Sequence, residues 1–341
     1  MTGVDVTGKR VALVGGAGFI GHHLALELKA RGAEPVVIDG LQVNNLGAFS
    51  STTAGSDSDR YLAMIHQRLE LLRAARIPLS VVDARDYPLL GRTIEEIDPE
   101  VIVHLAAVAH AGKSNKDPYT TFDHSARTLE NALDVARNIS AHFIFFSSSM
   151  VYGDFHGSAV EEDRHCEPYG IYGALKFGGE RLVIAYNQIF GLPYTIIRPS
   201  ALYGERCVSR RVSQVFIERA LDGLPLKVNG DGTESLDFTY INDLVNGVIL
   251  CISNDSARQE IFNLTFGEGR SLKDLAEIIS GELPQTEVEY LARDDSMPER
   301  GRLSIVKARD LLGYSPEWPL EQGYLRYLRW YQEGHVGSTT L

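Results

Sequence analysis

Through the first half of the chain, short apolar runs rich in β-branched residues alternate with longer amphipathic stretches. The runs at 11–14, 35–39, 79–83, 101–106 and 142–147 are nearly continuous in hydrophobicity, as strands covered on both faces require. Between them, 20–31, 60–76 and 118–139 carry helical spacing and are long enough for right-handed crossovers. This rhythm predicts an α/β fold built on a doubly wound parallel sheet. Residues 47–59, GAFSSTTAGSDSD, read as a flexible surface insertion. Beyond about residue 200 the rhythm turns irregular, with a helix near 212–222 and strand-like pieces at 226–228 and 238–240. The expectation is therefore a first domain over 1–199 and a smaller C-terminal α/β lobe over 200–341, some of whose segments return to the first domain. The terminal GHVGSTTL reads as a frayed tail, and the sequence shows no internal repeat.

Composition narrows the function. With 341 residues, 44% hydrophobic and 23% charged, the chain has the apolar surface for a full core. Its formal net charge of -12 disfavours nucleic acid and anionic membrane surfaces as partners, while leaving room for a small anionic ligand held by local groups. Cys166, Cys207 and Cys251 are too scattered for a disulfide framework or a zinc site. The polar start and the lack of a run of roughly 20 apolar residues lead to the expectation of a cytoplasmic protein.

The first strand runs into Gly15-Gly16-Ala17-Gly18-Phe19-Ile20-Gly21 and then a helix, the context a dinucleotide fingerprint needs. Gly15 permits the tight turn, Gly18 lets backbone approach a pyrophosphate, and Gly21 lets helix pack on strand. Phe19 and Ile20 open the helix, whose free amides and dipole favour phosphate. Asp39 closes the second strand about 20 residues on, where a carboxylate bonds the adenosine ribose hydroxyls and repels a 2'-phosphate. This favours NAD over NADP. Asp83, with Ala84 behind it, ends the third strand in position to meet the adenine.

Tyr172 and Lys176 lie four apart, on one face of a helix. An ammonium beside a phenol is expected to lower its pKa from about 10 towards neutrality and make it a base for an alcohol proton. Ser147-Ser148-Ser149-Met150-Val151-Tyr152-Gly153 directly follows an apolar strand. Taken with the glycine motif, Asp39, His104-Leu105-Ala106-Ala107 and Asp237-Phe238-Thr239-Tyr240, these residues make the chain resemble the extended short-chain dehydrogenase/reductase family over nearly its whole length. More closely, it resembles the nucleotide-sugar epimerases and dehydratases. The resemblance implies a Rossmann domain and Ser148, Tyr172 and Lys176 as the catalytic triad. It also implies NAD held by the glycine loop, Asp39, Asp83, Ala84, Leu105, Ala106, Ala107, Tyr172 and Lys176. A nucleoside-diphosphate sugar, a UDP-sugar for preference, would lie between the lobes, and the protein would be a homodimer through helices near 118–137 and 172–190. The implied reaction is epimerisation, C4 preferred, with the hydride returned to the carbon it left.

Departures from the family refine the expectation. Ser149 and Met150 stand where the dehydratases carry Asp-Glu, and Met150 replaces a Glu of the decarboxylases; both are placed at the substrate. Leu236 replaces the arginine of an Arg-Asp-Phe signature, so another cation must meet the diphosphate. Of Arg206, Arg210, Arg211, Arg293 and Arg300, the sequence favours Arg206 and Arg293, and reads Arg210 and Arg211 as solvated surface charges. His124 takes the place of a family Asn near the substrate, most simply as a packed histidine, and Tyr152 packs beneath the site. His22-His23 suggests no metal pair, since neighbours on a helix diverge. The competing readings are a keto-sugar reductase consuming exchangeable NAD(P)H, a modified dehydratase, and a catalytically inert NAD-sensing or RNA-associated relative.

Overall fold

The structure is a computed structural model describing residues 5–50, 57–108, 111–293 and 298–334. In chain order its principal elements are β1 (Arg10–Val14), α1 (Phe19–Ala30), β2 (Glu34–Asp39), α2 (Asp57–Ala74), β3 (Leu79–Val81), α3 (Tyr87–Ile97) and β4 (Val101–His104). There follow α4 (Thr128–Ile139), β5 (His142–Phe146), α5 (Gly170–Phe190), β6 (Tyr194–Arg198), α6 (Val212–Leu221), α7 (Ile241–Ser253), β7 (Glu260–Asn263) and α8 (Leu320–Gln332). The seven strands form one parallel sheet in the order β7-β6-β5-β4-β1-β2-β3.

Alternation along the strands explains why both faces are covered. In β1, Val11 and Leu13 join Leu24, Ala25 and Leu28 of α1, Met64 and Ile65 of α2, and Val248 and Ile249 of α7 in one core. Ala12 and Val14 join Leu90 and Ile94 of α3 and Leu129, Ala132 and Leu133 of α4 in the other. From β1 the chain adds β2 and β3 on one side and then crosses back to place β4 on the other. The sheet's switch point therefore lies between the C-terminal ends of β1 and β4, where open α/β sheets form their ligand crevice.

Several predicted boundaries shift. Strand pairing stops at Val81 and at His104, so Val82–Ala84 and Leu105–Ala107 peel away from the sheet and line the crevice instead. The helix expected over 118–139 is interrupted. Pro118–Phe122, capped by Asp117, gives way to a π-turn at Asp123–Arg127 before α4 begins. Such bulges lodge one extra residue in the helical ladder and recur beside functional sites. Within 47–59 the expected loop is partly helical, at Leu46–Phe49 and from Asp57 on, while 51–56 lies outside the described residues. The expected frayed tail lies, from His335 on, outside the described residues.

After β6 the chain builds short two-stranded pieces, including Leu226–Asn229 with Val288–Leu291 and Leu202–Tyr203 with Thr239–Tyr240, before β7 returns to the edge of the main sheet. Among the described residues no helix is long and apolar enough to cross a membrane.

Candidate active site

The crevice at the switch point is lined by Gly15, Gly18, Phe19, Ile20, Gly21, Asp39, Asp83, Ala84, Leu105, Ala106 and Ala107, which brings the sequence-derived dinucleotide residues together. Gly15 turns there at φ +83, and a Cβ on it would lie 2.6 Å from the Ala106 nitrogen. No side chain caps α1 at Gly18, so its first-turn amides remain available to an anion at the helix's positive end. An uncapped helix N-terminus, a backbone-tight glycine turn and a carboxylate at the next strand end are the donor set a dinucleotide needs, so NAD fits these residues. Replacing Gly15 with Ala forces both the left-handed φ and the clash with the end of β4. The expected cost is roughly 2–4 kcal/mol in a denaturant titration, with loss of co-purifying NAD measured chromatographically.

Asp39 accepts hydrogen bonds from the Ala17 and Leu41 amides at 2.9 and 2.7 Å, which fixes its carboxylate at the crevice; burial raises its pKa against those two bonds. Asp83 is held well below the usual carboxylate range by Arg85, whose Nε and Nη2 both donate to it, and Gln42 donates at 2.9 Å. Arg85 reaches Asp123 as well, at 2.6 Å, and so ties the π-turn to the third strand's end. His124, on that turn, lines the dinucleotide crevice and not the neighbouring cavity, and partial burial followed by Arg85 lowers its pKa.

A cavity of about 480 Å³ adjoins the crevice, sharing Ile20, Leu105, Ala107 and Arg211 with it. Ser148, Ser149, Met150, Tyr172, Lys176, Arg210, Arg211, Lys227, Phe238 and Arg300 are on its walls. Ser148 accepts a hydrogen bond from the Met150 amide at 3.2 Å and starts the turn that carries Ser149 and Met150. Helix α5 can approach this turn because residue 173 is glycine: a Cβ there would sit 2.8 Å from the Met150 carbonyl oxygen. That approach seats Tyr172 against Ser148.

The electrostatics of the triad differ from expectation. Burial raises the Tyr172 pKa, and the groups that pull it back are Arg211 and the Ser148 side chain. The Lys176 ammonium donates to the Phe146 carbonyl at 2.6 Å, 5.2 Å from the centre of the Phe145 ring, with its pKa brought to about 8 by burial. Lysine and tyrosine share a helix face, yet the lysine is anchored to the end of β5. Glu180, one turn further along α5, forms a buried pair with Arg198 at 2.6 Å and accepts from Ser147 at 2.5 Å. Tyr152 lies beneath, its hydroxyl bonded to Asn263 and its ring under the Arg198 guanidinium.

The arginines also distribute differently. Arg206 points behind α1, its Nε donating to His22 at 3.0 Å, with Trp330 under its guanidinium. Arg293 is exposed beyond the strand Val288–Leu291. Neither lines the cavity. Arg211 and Arg300 do, and the Nε of each is buried without a hydrogen-bond partner among the described residues, so Arg211 is no solvated surface charge. Arg300 lies 3.6 Å from Glu234, and three residues on, the Leu303 amide donates to Asp237, which also accepts from the Gly267 amide and from Thr265; burial raises that carboxyl to about 7. Sequence offered one signal for Arg211, its place immediately before a helix, and none for the burial of Arg300. Lys227 and Asn229 also line the cavity, from a short strand that periodicity did not connect to the site. His22 and His23 bond the Gly18 and Glu205 carbonyls, and burial lowers both pKa values, that of His23 to about 3.

A dinucleotide crevice opening on a Ser/Tyr/Lys cavity at the switch point of a parallel sheet defines a Rossmann-type protein of the short-chain dehydrogenase/reductase class. The chain belongs to the NAD dependent epimerase/dehydratase family, whose sequence model matches residues 11–265, and NAD is its cofactor. It is 29% identical over 326 residues to a putative UDP-glucose 4-epimerase of Methanocaldococcus jannaschii, covering 94% of this chain and 97% of that one. It is 28% identical over 331 residues to UDP-glucuronic acid decarboxylase 1 of Danio rerio, covering 95% and 72% respectively. Among solved structures it resembles UDP-glucuronic acid 4-epimerase from Bacillus cereus in complex with UDP-glucuronic acid and NAD, with a TM-score of 0.84, 26% identity, and coverage of 95% of this chain and 99% of that chain.

Proposed function

We propose that this protein is an NAD-dependent epimerase of a nucleoside-diphosphate sugar, acting at C4, with a UDP-sugar the favoured substrate. The observation that carries the reading is the meeting, in one cavity, of Ser148, Tyr172 and Lys176 with the buried, unpartnered arginine nitrogens of Arg211 and Arg300. The triad handles an alcohol proton; the guanidiniums suit phosphate oxygens, which they bind as planar forks. Residues 200–341 serve mainly as the substrate-binding lobe, because they supply Arg211, Lys227, Phe238 and Arg300.

Tyr172 in its phenolate form takes the proton of the sugar hydroxyl, and Ser148 donates a hydrogen bond to the oxygen as it becomes a carbonyl. Bound NAD supplies the hydride acceptor at that carbon and the donor for its return. Tyr172 gives the proton back once the keto-sugar has presented its other face. Lys176 holds Tyr172 and the nicotinamide ribose in register from its anchor on β5. Met150 weighs against the dehydratase and decarboxylase alternatives. It is buried in the cavity wall at the place of their glutamate, and a thioether exchanges no proton.

The active form proposed is a cytoplasmic homodimer in carbohydrate biosynthesis. Tyr119 and Phe122 are 85% and 56% exposed, and Leu182 and Ile189, one heptad apart on α5, are 42% and 74% exposed. Together they offer an apolar face for a second copy.

Proton NMR of the purified protein with UDP-, GDP-, CDP- and dTDP-sugars in D2O, without added cofactor, tests the activity. Conversion to a stereoisomer with no deuterium entering the ring is expected. If every sugar stays unchanged while keto-sugars are reduced with added NAD(P)H, the epimerase reading fails in favour of a reductase.

A further inference from the structure

His22 is sealed from solvent in the first turns of α1, and both of its ring nitrogens are bonded. The Arg206 Nε can only donate, and it reaches the His22 Nε2 at 3.0 Å, so that nitrogen is bare. The hydrogen of the neutral ring is then on Nδ1, which donates to the Gly18 carbonyl at 2.9 Å. Burial, followed by the charges of His23 and Arg206, keeps the imidazole neutral. His23 bonds the Glu205 carbonyl at 3.1 Å, and since a carbonyl only accepts, its Nε2 is the protonated one. Two adjacent imidazoles of α1 grip two adjacent residues of the loop after Tyr203, in opposite tautomers.

The far side of this clasp is held firmly. Arg206 has a left-handed backbone, φ +61, a conformation that persists at a non-glycine residue only where its surroundings hold it. Arg68, fully buried, donates Nε to the Arg206 carbonyl at 3.0 Å and Nη2 to the same oxygen, while Trp330 of α8 lies under the Arg206 guanidinium. On the near side the held atom belongs to the dinucleotide turn. Gly18 lines the crevice, and its carbonyl already accepts the His22 amide at 3.2 Å as the first bond of the helix. Without a Cβ, Gly18 turns easily about ψ, and the Gly18–Phe19 peptide turns as one plane. Fixing the carbonyl at one end of that plane aims the Phe19 amide at the other, among the first-turn donors that face the crevice.

We propose that His22 is a positioning residue for the cofactor: its Nδ1–H pins the Gly18 carbonyl and so aims the Phe19 amide at the NAD pyrophosphate. Arg206 acts through His22, by holding it in the one tautomer that can donate to Gly18. The assignment goes beyond the epimerase reading, since any reaction run on NAD at this crevice needs the same turn.

Two measurements test it. Long-range proton–nitrogen NMR of the NAD-loaded protein, labelled at histidine, should show His22 with Nδ1 protonated and Nε2 bare, and Arg206→Met should move it towards the Nε2–H form. The rate at which NAD leaves the protein, followed by ultrafiltration and chromatography, is compared with the urea midpoint of each variant. His22→Leu, which keeps the bulk and loses the bond, should release NAD about tenfold faster. His22→Asn, whose amide nitrogen takes the place of Nδ1, should stay within about threefold of the wild type, although it fills the core less well and lowers the urea midpoint further. Arg206→Met should speed release by itself and add nothing in the His22→Asn background, where no tautomer is left to set. A wild-type His22 protonated on Nε2 overturns the pairing. NAD release that simply follows the urea midpoint, with His22→Asn losing more than His22→Leu, overturns the positioning role and makes His22 a packing residue. Should the His22 variants fail to fold, Arg206→Met decides, because it spares His22: release at the wild-type rate overturns the proposal. Sugar turnover enters neither readout, so failure of the epimerase reading leaves the outcome intact.

Discussion

Tyr172→Phe is expected to lower kcat by about a thousandfold, measured by NMR or a coupled assay on the nucleotide sugar, because it removes the group that exchanges the alcohol proton. The pH profile of the wild type makes the same argument without a mutation. The active form needs Tyr172 deprotonated and Lys176 protonated. Burial raises the phenol, so below its pKa the phenolate fraction grows tenfold per pH unit. Lys176 loses its proton with a pKa of about 8. Hence kcat/KM should climb tenfold per unit up to about pH 8 and then level, as growing phenolate is offset by vanishing ammonium. Arg211 is among the groups that pull the phenol down, so Arg211→Met should reduce the phenolate available at any given pH and lower the plateau. A Tyr172→Phe enzyme that keeps most of its turnover, or a flat profile from pH 6 to 8, would assign the proton transfer to another group.

The sheet and the cofactor crevice were legible because both rest on local pattern. Continuous apolar runs specify strands buried on both faces, and a glycine turn between strand and helix specifies a phosphate site wherever it occurs. Strand ends were overrun, at Val82 and Leu105, because hydrophobicity continues into the residues that leave the sheet to line the crevice. The break in the helix over 118–139 was hidden, because a π-turn keeps helical spacing on either side and is set here by Asp123 bonding to Arg85, 38 residues away. The cations were the hardest part. Arg206 and Arg211 are five residues apart in one loop, and sequence offers no means to see that Arg206 turns to His22 behind α1 while Arg211 turns into the cavity. The Tyr172–Lys176 spacing set the pair on one helix face but could not show that the ammonium is taken by the Phe146 carbonyl.

Behind the triad, Glu180 and Arg198 are the most consequential pair for stability. Their side chains are 1% and 3% exposed, and the guanidinium donates to both carboxylate oxygens, at 2.8 and 2.6 Å. Removing one partner strands a charge where water cannot reach it. Glu180→Gln keeps the shape but leaves Arg198 uncompensated, and it is expected to cost 3–5 kcal/mol, roughly, in urea denaturation. A Glu180→Leu, Arg198→Met double variant should regain most of that stability, because a well-packed apolar pair replaces the desolvated ions without leaving either alone. Activity should not return with it. Ser147 also hangs on Glu180, and Lys176 senses its charge, so the carboxylate steadies the strand end that presents Ser148 as well as the ammonium one turn away. Recovery of stability without recovery of turnover would separate these two roles. Recovery of both would make the pair a matter of packing alone.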